Sequence, residues 1–600
     1  ALNLEVNVAV LKGRSNYLCP RRLESSRQRG PDNPEEMRVL AKVLVWLNEG
    51  GSGDRTEINL NGPIEREIWM RLSAEDEGCK AETCMTRAGG GCPFYNARQA
   101  AQAAHLVIVN HALLLADVST GNRVLPEYSF LIIDEAHHLE SATTNALSYR
   151  VAQGDLGRLL RELGGSSSGS VGRLLTMFKN ILRPSDFAAA NVAAARATDL
   201  AFRLDHDFRE LFNTVNQFMA DQRDGRPVGP YGHQERLLPA SRTLPAWGEV
   251  EMAWDTTRET LKLLLNLLAD MHKSASQYQD DVLELEDELS TLANIHRRLD
   301  EAEKNISGLV DKPVADFIYW IEIAPNNTHV IMQIAPLHIG PLMEQYLWHE
   351  KTCVILTSAT LTTNGDFDYL RERLAAHEAD ELALGSPFDY ENAAMLYLVN
   401  DIPEPSDANH YQRSVENTLV RVSKASGGRL LALFTSYAQL KRTSQAISPL
   451  LAEDGIQVYE QGEGASSNTL LEAFRDADKA VLLGTRAFWE GVDIPGDALS
   501  VLVIVRLPFD VPSDPIIAAR SETFEDPFNE YSLPEAILRF RQGFGRLIRT
   551  QYDRGVVAVL DRRLLTKRYG KSFIQSLPEC TLRQGSMHDL PAVTARWLNT

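Results

Sequence analysis

The sequence predicts an α/β protein with two regions of parallel β-sheet and a long helical segment between them. Short apolar runs recur along the chain, and two of them end at polar groups: residues 131–133 run into Asp134, and residues 354–356 run into Thr357. Apolar runs of this length indicate buried strands. Polar side chains at their carboxyl ends lie where open α/β folds bind ligands.

Composition and charge exclude several classes of protein. The chain has 600 residues, of which 44% are hydrophobic and 24% charged, as in ordinary globular proteins of several domains. It has no apolar run of the roughly 20 residues that span a bilayer and no signal-peptide pattern at its start, so we expect a cytoplasmic protein that does not enter a membrane. The net charge of −20 does not by itself indicate a nucleic-acid-binding protein.

Shifts in the apolar pattern divide the chain into six segments. The predicted segments are residues 1–14, the tail of a truncated sheet domain; 15–100, loop-rich and cysteine-bearing; 101–140, part of the first sheet domain; 141–308, helical; 309–375, the first sheet domain continued; and 376–600, the second sheet domain. In residues 15–100, the glycines at 50–53 and 89–91 act as breakers of regular structure.

The helical segment is predicted to be an inserted domain. Strand signals are absent from residues 141–308, and helical spacing dominates there. Between residues 282 and 299, six apolar residues step by three or four, which predicts one buried helix face. These residues are Val282, Leu285, Leu289, Leu292, Ile295 and Leu299. Residues 164–170 (GGSSSGS) predict a flexible connector within the domain.

Strand signals return after the helical segment. Residues 317–323, 328–334 and 354–356 predict strands that precede the Thr357-Ser358-Ala359-Thr360 motif. A second series, separated by helical segments, predicts a second parallel sheet. Its strands are residues 430–434, 480–483, 501–505 and 556–560.

Four cysteines are candidate metal ligands. They are Cys19, Cys79, Cys84 and Cys92. A disulfide framework is disfavoured in a large cytoplasmic protein. Zinc sites usually show two close cysteine pairs, whereas one isolated cysteine followed by three suits an iron–sulfur cluster at least as well. On spacing, an iron–sulfur cluster, zinc and cysteines with no metal role all remain open. Cys353 and Cys580 are predicted to be packing residues, the first in a buried strand.

Asp134-Glu135-Ala136-His137 is a candidate nucleotide-hydrolysis motif. After a strand, Asp134 is suited to hold Mg²⁺ and Glu135 to accept a proton from an attacking water. No G-x-x-x-x-G-K-[ST] phosphate loop occurs in the 600 residues, so we expect that motif to precede Ala1 in the intact protein.

Two basic stretches are candidate binding elements. In QGFGRLIR (542–549), a continuous helix would place Gln542, Arg546 and Arg549 in one stripe, where guanidinium groups could stabilise a transferring phosphoryl group. A second cluster between residues 12 and 29 includes Arg21 and Arg22, which are candidates for DNA contact. The alternative interpretation of the first stretch is a basic helix face paired with surface acids, and that of the second is a solvated face.

The ordered motifs resemble the superfamily 2 helicases of the XPD/DinG group, closest to the bacterial DinG branch. They are Asn110-His111, DEAH (134–137), TSATL (357–361), GSPF (385–388), GTRAFWEGVDIPG (484–496), RLPF (506–509), QGFGRLIR (542–549) and DRRLLTKRYG (561–570). The resemblance implies two RecA-like motor domains, an inserted 4Fe–4S domain at residues 15–100 and a helical arch at 141–308. It also implies ATP and Mg²⁺ as cofactors and 5′→3′ unwinding of DNA.

The resemblance assigns roles by position. It places the four cysteines at the 4Fe–4S ligands. His137 and residues 357–360 match elements that couple hydrolysis to DNA movement, and Arg546 and Arg549 match arginines that reach the γ-phosphate. Gly484, Glu490 and Asp493 lie in a motif that faces nucleotide and DNA.

The resemblance also implies biological partners. Single-stranded DNA and DNA junctions in repair or replication are the implied substrates, single-strand-binding protein is an implied partner, and a monomer is expected. Two alternatives are a relative fused to an upstream exonuclease and a non-catalytic scaffold. The retained Glu135, Arg546 and Arg549 disfavour the scaffold.

Overall fold

The computed structural model describes residues 5–31, 33–60, 62–74, 91–179, 181–229, 232–278, 285–325, 329–363, 365–462, 467–489, 494 and 496–599. The strands are β1 (Val8–Val10), β2 (Leu106–Ile108), β3 (Phe130–Ile133), β4 (Tyr149–Ala152), β5 (His233–Arg236), β6 (Phe317–Ile323), β7 (Val330–Pro336), β8 (Cys353–Leu356), β9 (Ala394–Val399), β10 (Leu430–Leu433), β11 (Gln457–Glu460), β12 (Ala480–Gly484), β13 (Val501–Ile504), β14 (Gly555–Val559) and β15 (Thr581–Gly585).

The helices are α1 (Pro20–Arg29), α2 (Pro34–Asn48), α3 (Gly62–Leu72), α4 (Pro93–Gln102), α5 (His111–Ser119), α6 (Leu139–Leu147), α7 (Gln153–Leu163), α8 (Gly169–Phe178), α9 (Pro184–Gln222), α10 (Pro239–Arg242), α11 (Pro245–Ser276), α12 (Leu285–Val310), α13 (Gly340–Met343), α14 (Asp368–Leu374), α15 (Tyr390–Ala393), α16 (Ala408–Ser426), α17 (Tyr437–Ala452), α18 (Ser467–Asp476), α19 (Arg486–Trp489), α20 (Pro515–Ser521), α21 (Leu533–Phe544), α22 (Arg563–Thr566), α23 (Gly570–Gln575) and α24 (Leu590–Leu598).

The chain divides into two compact units. Unit 1 comprises Ala1–Tyr128 and Ser141–Ile339, and unit 2 comprises Ser129–Glu140 and Gly340–Thr600. Within the described part of the chain, no helix has the length and apolarity needed to cross a membrane.

The described part of residues 15–100 is largely helical, so the prediction of a loop-rich segment was wrong for those residues. Helices α1, α2, α3 and α4 lie there, and three of them begin with proline at the first helical position. Proline is favoured at that position because its fixed φ suits a helix start. These prolines therefore mark the starts of short helices, and α1, α2 and α3 pack around Trp69, which is fully buried.

Long helices form the core of the predicted helical domain. The apolar stripe is confirmed on α12, where the five residues from Leu285 to Leu299 are at most 3% exposed, while Val282 lies outside the described residues. Residues 164–170 form a closed turn rather than a flexible connector. Gly165 pairs with Ser168, and Gly164 and Gly169 take positive φ angles of 72° and 66°.

An antiparallel sheet packs against these helices. Its strand order is β4-β7-β6-β5, and its inward residues, such as Ile321 and Met332, belong to the same apolar core as the helices. The prediction that strands are absent from 141–308 was wrong, because β4 and β5 lie there. The sequence assigned residues 309–375 to the first parallel sheet, whereas the structure places the β6–β7 pair in unit 1 with the helices.

Unit 2 contains a seven-stranded parallel sheet, which confirms the predicted α/β class and the second parallel sheet. Its order is β11-β12-β10-β13-β14-β9-β15, and every pairing is parallel. Successive residues of β9 enter different apolar cores, Leu396 on one face and Tyr397 on the other. Both faces are therefore covered, as parallel sheets require.

Two smaller parallel pairs complete the described sheets. β1 pairs with β2 in unit 1, and β3 pairs with β8 in unit 2. On one face of β3–β8, side chains are left open by the described residues: Phe130 is 74% exposed, and Cys353 is also exposed. The prediction of a buried Cys353 was therefore wrong, although its strand is confirmed. Cys580 is half-buried against the core of the seven-stranded sheet, as predicted.

Candidate active site

The DEAH motif leaves the end of strand β3 in a tight turn held by the TSAT motif. The N–H of Thr357 donates to Ile133 O at 2.9 Å, and the N–H of Ala136 donates to Thr357 O at 3.0 Å. Between them, Glu135 has a φ of +49°, a left-handed conformation that is strained for a residue with a side chain. Asp134 supports the turn, because its Oδ1 accepts the N–H of Glu135 at 3.0 Å.

A relay of polar side chains starts at Glu135 and centres on Ser358. The hydroxyl of Ser358 lies 2.7 Å from His137 Nδ1 and donates to Glu135 Oε2 at 3.2 Å. It also accepts the N–H of Thr360 at 3.2 Å. Gln542 Nε2 donates to Thr360 Oγ1 at 3.3 Å. The relay thus connects the DEAH carboxylate to the QGFGRLIR motif, whereas the Glu135 side chain itself remains 56% exposed.

The QGFGRLIR motif is only partly helical, so the predicted continuous stripe was wrong. Helix α21 ends at Phe544, and Arg546 and Arg549 lie beyond it. Arg546 Nε donates to the carbonyl of Trp489 at 3.1 Å, and the carboxylate of Asp553 accepts the N–H of Arg549 at 2.7 Å. These contacts, rather than helical periodicity, position the two arginines.

Two glycines are required by close packing near these arginines. A Cβ at Gly543 would lie 2.8 Å from the Trp489 ring, and a Cβ at Gly484 would lie 2.5 Å from Phe488 Cβ. Gly484 is buried at the end of β12, where its carbonyl accepts the N–H of Phe434 at 2.8 Å. The other predicted residues of this motif, Glu490 and Asp493, lie outside the described residues.

Residues of the DEAH, TSAT and QGFGRLIR motifs line one cleft of about 580 Å³ within unit 2. Its lining includes the predicted residues Glu135, His137, Thr360, Gln542, Arg546 and Arg549. The volume is in the range of small-molecule and cofactor sites. A carboxylate able to accept a proton and two guanidinium groups able to bind phosphate share this cleft, as phosphoryl transfer requires.

Sequence reasoning gave no role to several residues that line the cleft. They are residues 384–388, Tyr390 and residues 576–578. Burial raises the pKa of Tyr390, and the nearby Arg549 guanidinium partly offsets this rise, so the phenol stays protonated at neutral pH. The GSPF motif at 385–388 was a usable signal, whereas no pattern marked residues 576–578.

A buried ionic cluster in unit 2 was also missed. Glu140, three residues after His137, accepts from Arg520 at 2.9 Å and from Arg373, and these three side chains are 6–14% exposed. Beside them, the hydroxyl of Tyr369 donates to Glu535 at 2.7 Å. Glu535 lies on α21, the helix that also carries Gln542. The cluster therefore holds the segment after the DEAH motif close to α21.

The described cysteines of the candidate metal site lie together in unit 1. Cys19 and Cys92 are buried in one cluster with Tyr17 and Phe94. Each cysteine precedes the first residue of a helix, α1 or α4. Cys79 and Cys84 lie in residues 75–90, which are outside the described part, and no metal-ligating group of three or more gathers in the rest.

Gly53 fixes the spacing of the chain around these two cysteines. Its carbonyl accepts the N–H of Leu18, next to Cys19, at 2.9 Å. Its φ is +90°, and an added Cβ would lie 2.3 Å from Cγ of Pro93, next to Cys92. A side chain at position 53 would therefore push the two cysteine-bearing turns apart.

The candidate DNA-binding arginines differ in their surroundings. Arg22 Nη1 donates to Ser73 O at 3.2 Å and to Met70 O at 3.4 Å, at the end of α3. Arg21 is half-buried on α1. In the same basic run, Lys12 pairs with Asp54 at 2.6 Å. Part of this run therefore serves internal contacts.

Comparison with known proteins agrees with the motif order. A family model described as "Helicase C-terminal domain" matches residues 419–580, and one described as "DEAD_2" matches residues 78–156. "ATP-dependent DNA helicase YoaA" of Escherichia coli is 30% identical over 96% of this chain and 83% of that protein. "3'-5' exonuclease DinG" of Bacillus subtilis is 31% identical over 98% of this chain, which spans 63% of that relative's length.

A solved structure shares the fold. The structure titled "XPD_Helicase" superposes with a TM-score of 0.52, covering 98% of this chain and 87% of that chain at 13% identity. The parallel sheets and the ordered motifs around the cleft thus define an α/β protein of the helicase type. The chain belongs to the XPD/DinG-like family of superfamily 2 helicases.

Proposed function

We propose that the protein is an ATP-dependent DNA helicase. The observation that supports this most strongly is the single cleft that contains Glu135, Gln542, Arg546 and Arg549. It combines an acidic motif at the end of a strand with arginines from a distant part of the chain, as motor ATPases do. The relative in Escherichia coli that carries the name of an ATP-dependent DNA helicase matches nearly the whole chain.

The proposed hydrolysis uses Glu135, Arg546 and Arg549 of this cleft in separate roles, together with Asp134, which adjoins Glu135 in the chain but is not among the lining residues. Asp134 holds the Mg²⁺ that accompanies ATP, and Glu135 takes a proton from the attacking water. Arg546 and Arg549 stabilise negative charge on the transferring phosphoryl group. The Ser358–Thr360–Gln542 relay makes the position of Glu135 depend on α21, which is a direct route for coupling hydrolysis to movement of the chain.

We further propose that Cys19, Cys79, Cys84 and Cys92 hold a 4Fe–4S cluster in a domain at residues 15–100. The two described cysteines suit the group, because both are buried in one cluster and each directly precedes a helix. The cluster would join chain segments that are distant in sequence. Protein purified without oxygen should be brown and contain about four irons and four sulfides per chain. Protein with a zinc site instead would be colourless and would contain zinc but no iron.

The substrate proposals concern DNA. The proposed helicase acts on single-stranded DNA and DNA junctions and moves 5′→3′. It works as a cytoplasmic monomer, beside single-strand-binding protein, in repair or replication. Residues 141–308 form its helical arch. The test is strand displacement by the full-length protein, including any residues that precede Ala1. A duplex with a 5′ single-stranded tail should unwind with ATP, and one with a 3′ tail should not. Unwinding of the 3′-tailed duplex alone would overturn the polarity.

A helicase joined to an exonuclease is the second candidate. It is favoured by the printed name of the Bacillus subtilis relative, which is a 3'-5' exonuclease. Incubation of the full-length protein with 5′-labelled single-stranded DNA distinguishes the two. Shortening from the 3′ end in an ATP-independent reaction supports the fused enzyme, and an intact strand after ATP-driven unwinding supports the helicase alone.

A further inference from the structure

A pocket of about 320 Å³ opens between three helices of unit 1. It is lined by residues of α8, α9 and α11, among them Leu174, Ala190 and Leu267. Its floor belongs to the apolar core of the helical domain, because Val171 and Phe178 line it and are 0% and 7% exposed. The pocket therefore reaches into the core instead of lying on the surface of one helix.

The size and walls of the pocket suit an apolar body of two rings. Most of its lining is aliphatic or aromatic, and the rings of Phe178 and Tyr278 meet edge to face with centroids 6.1 Å apart. Small-molecule pockets begin at about 300 Å³, and an apolar cavity of about 150 Å³ holds one benzene ring. A pocket of about 320 Å³ therefore accommodates roughly twice that body.

Polar side chains without partners lie at the mouth of the pocket. Asp270, Ser274 and Gln277 line it and are exposed, and among the described residues their side chains have no hydrogen-bond or ion-pair partner. Asp186 is also exposed, and its Oδ1 accepts from Ser185 Oγ at 3.2 Å. The described lining thus has two carboxylates and no lysine, arginine or histidine.

The backbone adds to this negative charge. Helix α8 ends at Phe178 and α11 ends at Ser276, next to Gln277, so both helices end beside the pocket. The C-terminus of a helix carries partial negative charge and is stabilised by a nearby cation. Side chains and backbone together favour a positively charged group at the mouth over an uncharged or a negative one.

We propose that this pocket binds a lipophilic ammonium compound. The apolar body of the ligand lies among the three helices, where its removal from water favours binding. Its ammonium group lies at the mouth and donates charge-assisted hydrogen bonds to the carboxylates there. The site is independent of the proposed helicase function, because the pocket belongs to unit 1 and the cleft of Glu135 to unit 2.

The first test compares three probes of nearly one shape. At neutral pH, 1-naphthylmethylamine is a cation, 1-naphthylmethanol is uncharged and 1-naphthoate is an anion. Isothermal titration of the full chain should show one site for the amine, about tenfold weaker binding of the alcohol and no binding of the naphthoate. Equal affinities for amine and alcohol, or no binding of the amine, would overturn the proposal.

The second test assigns the charge preference to Asp270. Asp270→Asn should lower the affinity for the amine about tenfold and leave the affinity for the alcohol unchanged. Glu259→Gln is the matched control, because it removes one negative charge from an exposed residue of the same helix that is not in the described lining. Equal losses in the two variants would show attraction by the whole acidic surface and would refute a site at the pocket.

The third test fills the pocket. Ala190→Phe places a ring among the lining residues and should abolish binding of both the amine and the alcohol. Ala188→Phe adds the same ring at an exposed position of α9 that is not in the described lining, so it should bind both probes normally. The unfolding temperature of each variant checks that it folds. Normal binding by folded Ala190→Phe would place the probes elsewhere and reject the pocket, whereas loss in that variant alone supports it.

Discussion

At the scale of single residues, Gly53 has the most specific structural role outside the cleft. Gly53 and Gly50 have nearly the same φ, 90° and 93°. A Cβ added at Gly53 would lie 2.3 Å from Cγ of Pro93, whereas a Cβ added at Gly50 would have no atom within 4 Å. A positive φ strains alanine equally at both positions. We expect Gly53→Ala to lose most of the iron of the proposed cluster and Gly50→Ala to retain it. Iron and sulfide per chain are the measurement.

A compensating substitution provides the control for Gly53. Pro93→Gly removes the ring that an alanine at position 53 would meet, so Gly53→Ala/Pro93→Gly should regain iron relative to Gly53→Ala. Equal iron content in the Gly50 and Gly53 variants would show that Gly53 does not set the spacing of Cys19 and Cys92.

The neighbouring arginines Arg21 and Arg22 should behave differently. Arg22→Ala removes hydrogen bonds to two carbonyl groups at the end of α3, so we expect a loss of about 1–2 kcal/mol in the free energy of unfolding. Arg21→Ala should lower the salt slope of single-strand binding by about 0.7, one phosphate contact. Denaturant unfolding measures the effect of Arg22→Ala, and salt titration measures that of Arg21→Ala. Unchanged stability in Arg22→Ala, or an unchanged salt slope in Arg21→Ala, would contradict the role given to that residue.

Residue types in local motifs were sufficient to predict most of the cleft. Glu135, Gln542 and Arg546 lie within short motifs, and the adjacent residue types indicate the chemistry of each motif. The structure brings all three side chains together in one cleft. The partners of Glu140 could not be predicted in this way. Arg520 lies 380 positions away along the chain, and an isolated arginine in a helix carries no sign of its ionic partner.

At the scale of elements, the ionic cluster at Glu140 should stabilise unit 2. Removing one member of a buried ion pair leaves an uncompensated charge, which costs about 3–5 kcal/mol. We therefore expect Glu140→Gln to lower the free energy of unfolding by that amount, measured by denaturant titration. Glu24→Gln is the control, because Glu24 pairs with Arg27 at 3.0 Å but both side chains are more than half exposed. An exposed pair contributes at most about 1 kcal/mol, so equal losses would contradict the role of burial.

Strands were easier to predict than helix ends. The strands β10, β12, β13 and β14 lie within one residue of their predicted bounds, because each is an uninterrupted apolar run buried on both faces. Strand β5, His-Gln-Glu-Arg, has no apolar residue and is specified by its antiparallel pairing with β6. Helix α21 ends at Phe544, with Gly545 as its C-cap, and Arg546 beyond it contacts Trp489, a contact that no local periodicity encodes.

At the scale of the whole molecule, the fold class followed from the order of its strands and motifs. The alternation of apolar runs and helical segments after residue 385 was sufficient to predict the parallel sheet of unit 2. The helices between residues 20 and 102 were missed, because glycine and proline at their ends resembled loop sequence. The β6–β7 pair was placed with the wrong neighbours, since the sequence does not specify which sheet two adjacent strands join.

The central claim is that Glu135 and Arg546 act in one cleft to hydrolyse ATP. The most direct measurement is ATP turnover by the full-length protein with and without single-stranded DNA, for the unmodified protein, Glu135→Gln, Arg546→Ala and the exposed control Glu350→Gln. We expect DNA to stimulate the unmodified protein and the control equally. Glu135→Gln should keep ATP binding but turn over about 10²-fold more slowly, as loss of a general base predicts. Arg546→Ala should slow by about 10³-fold. Near-normal DNA-stimulated turnover in either variant would contradict the account.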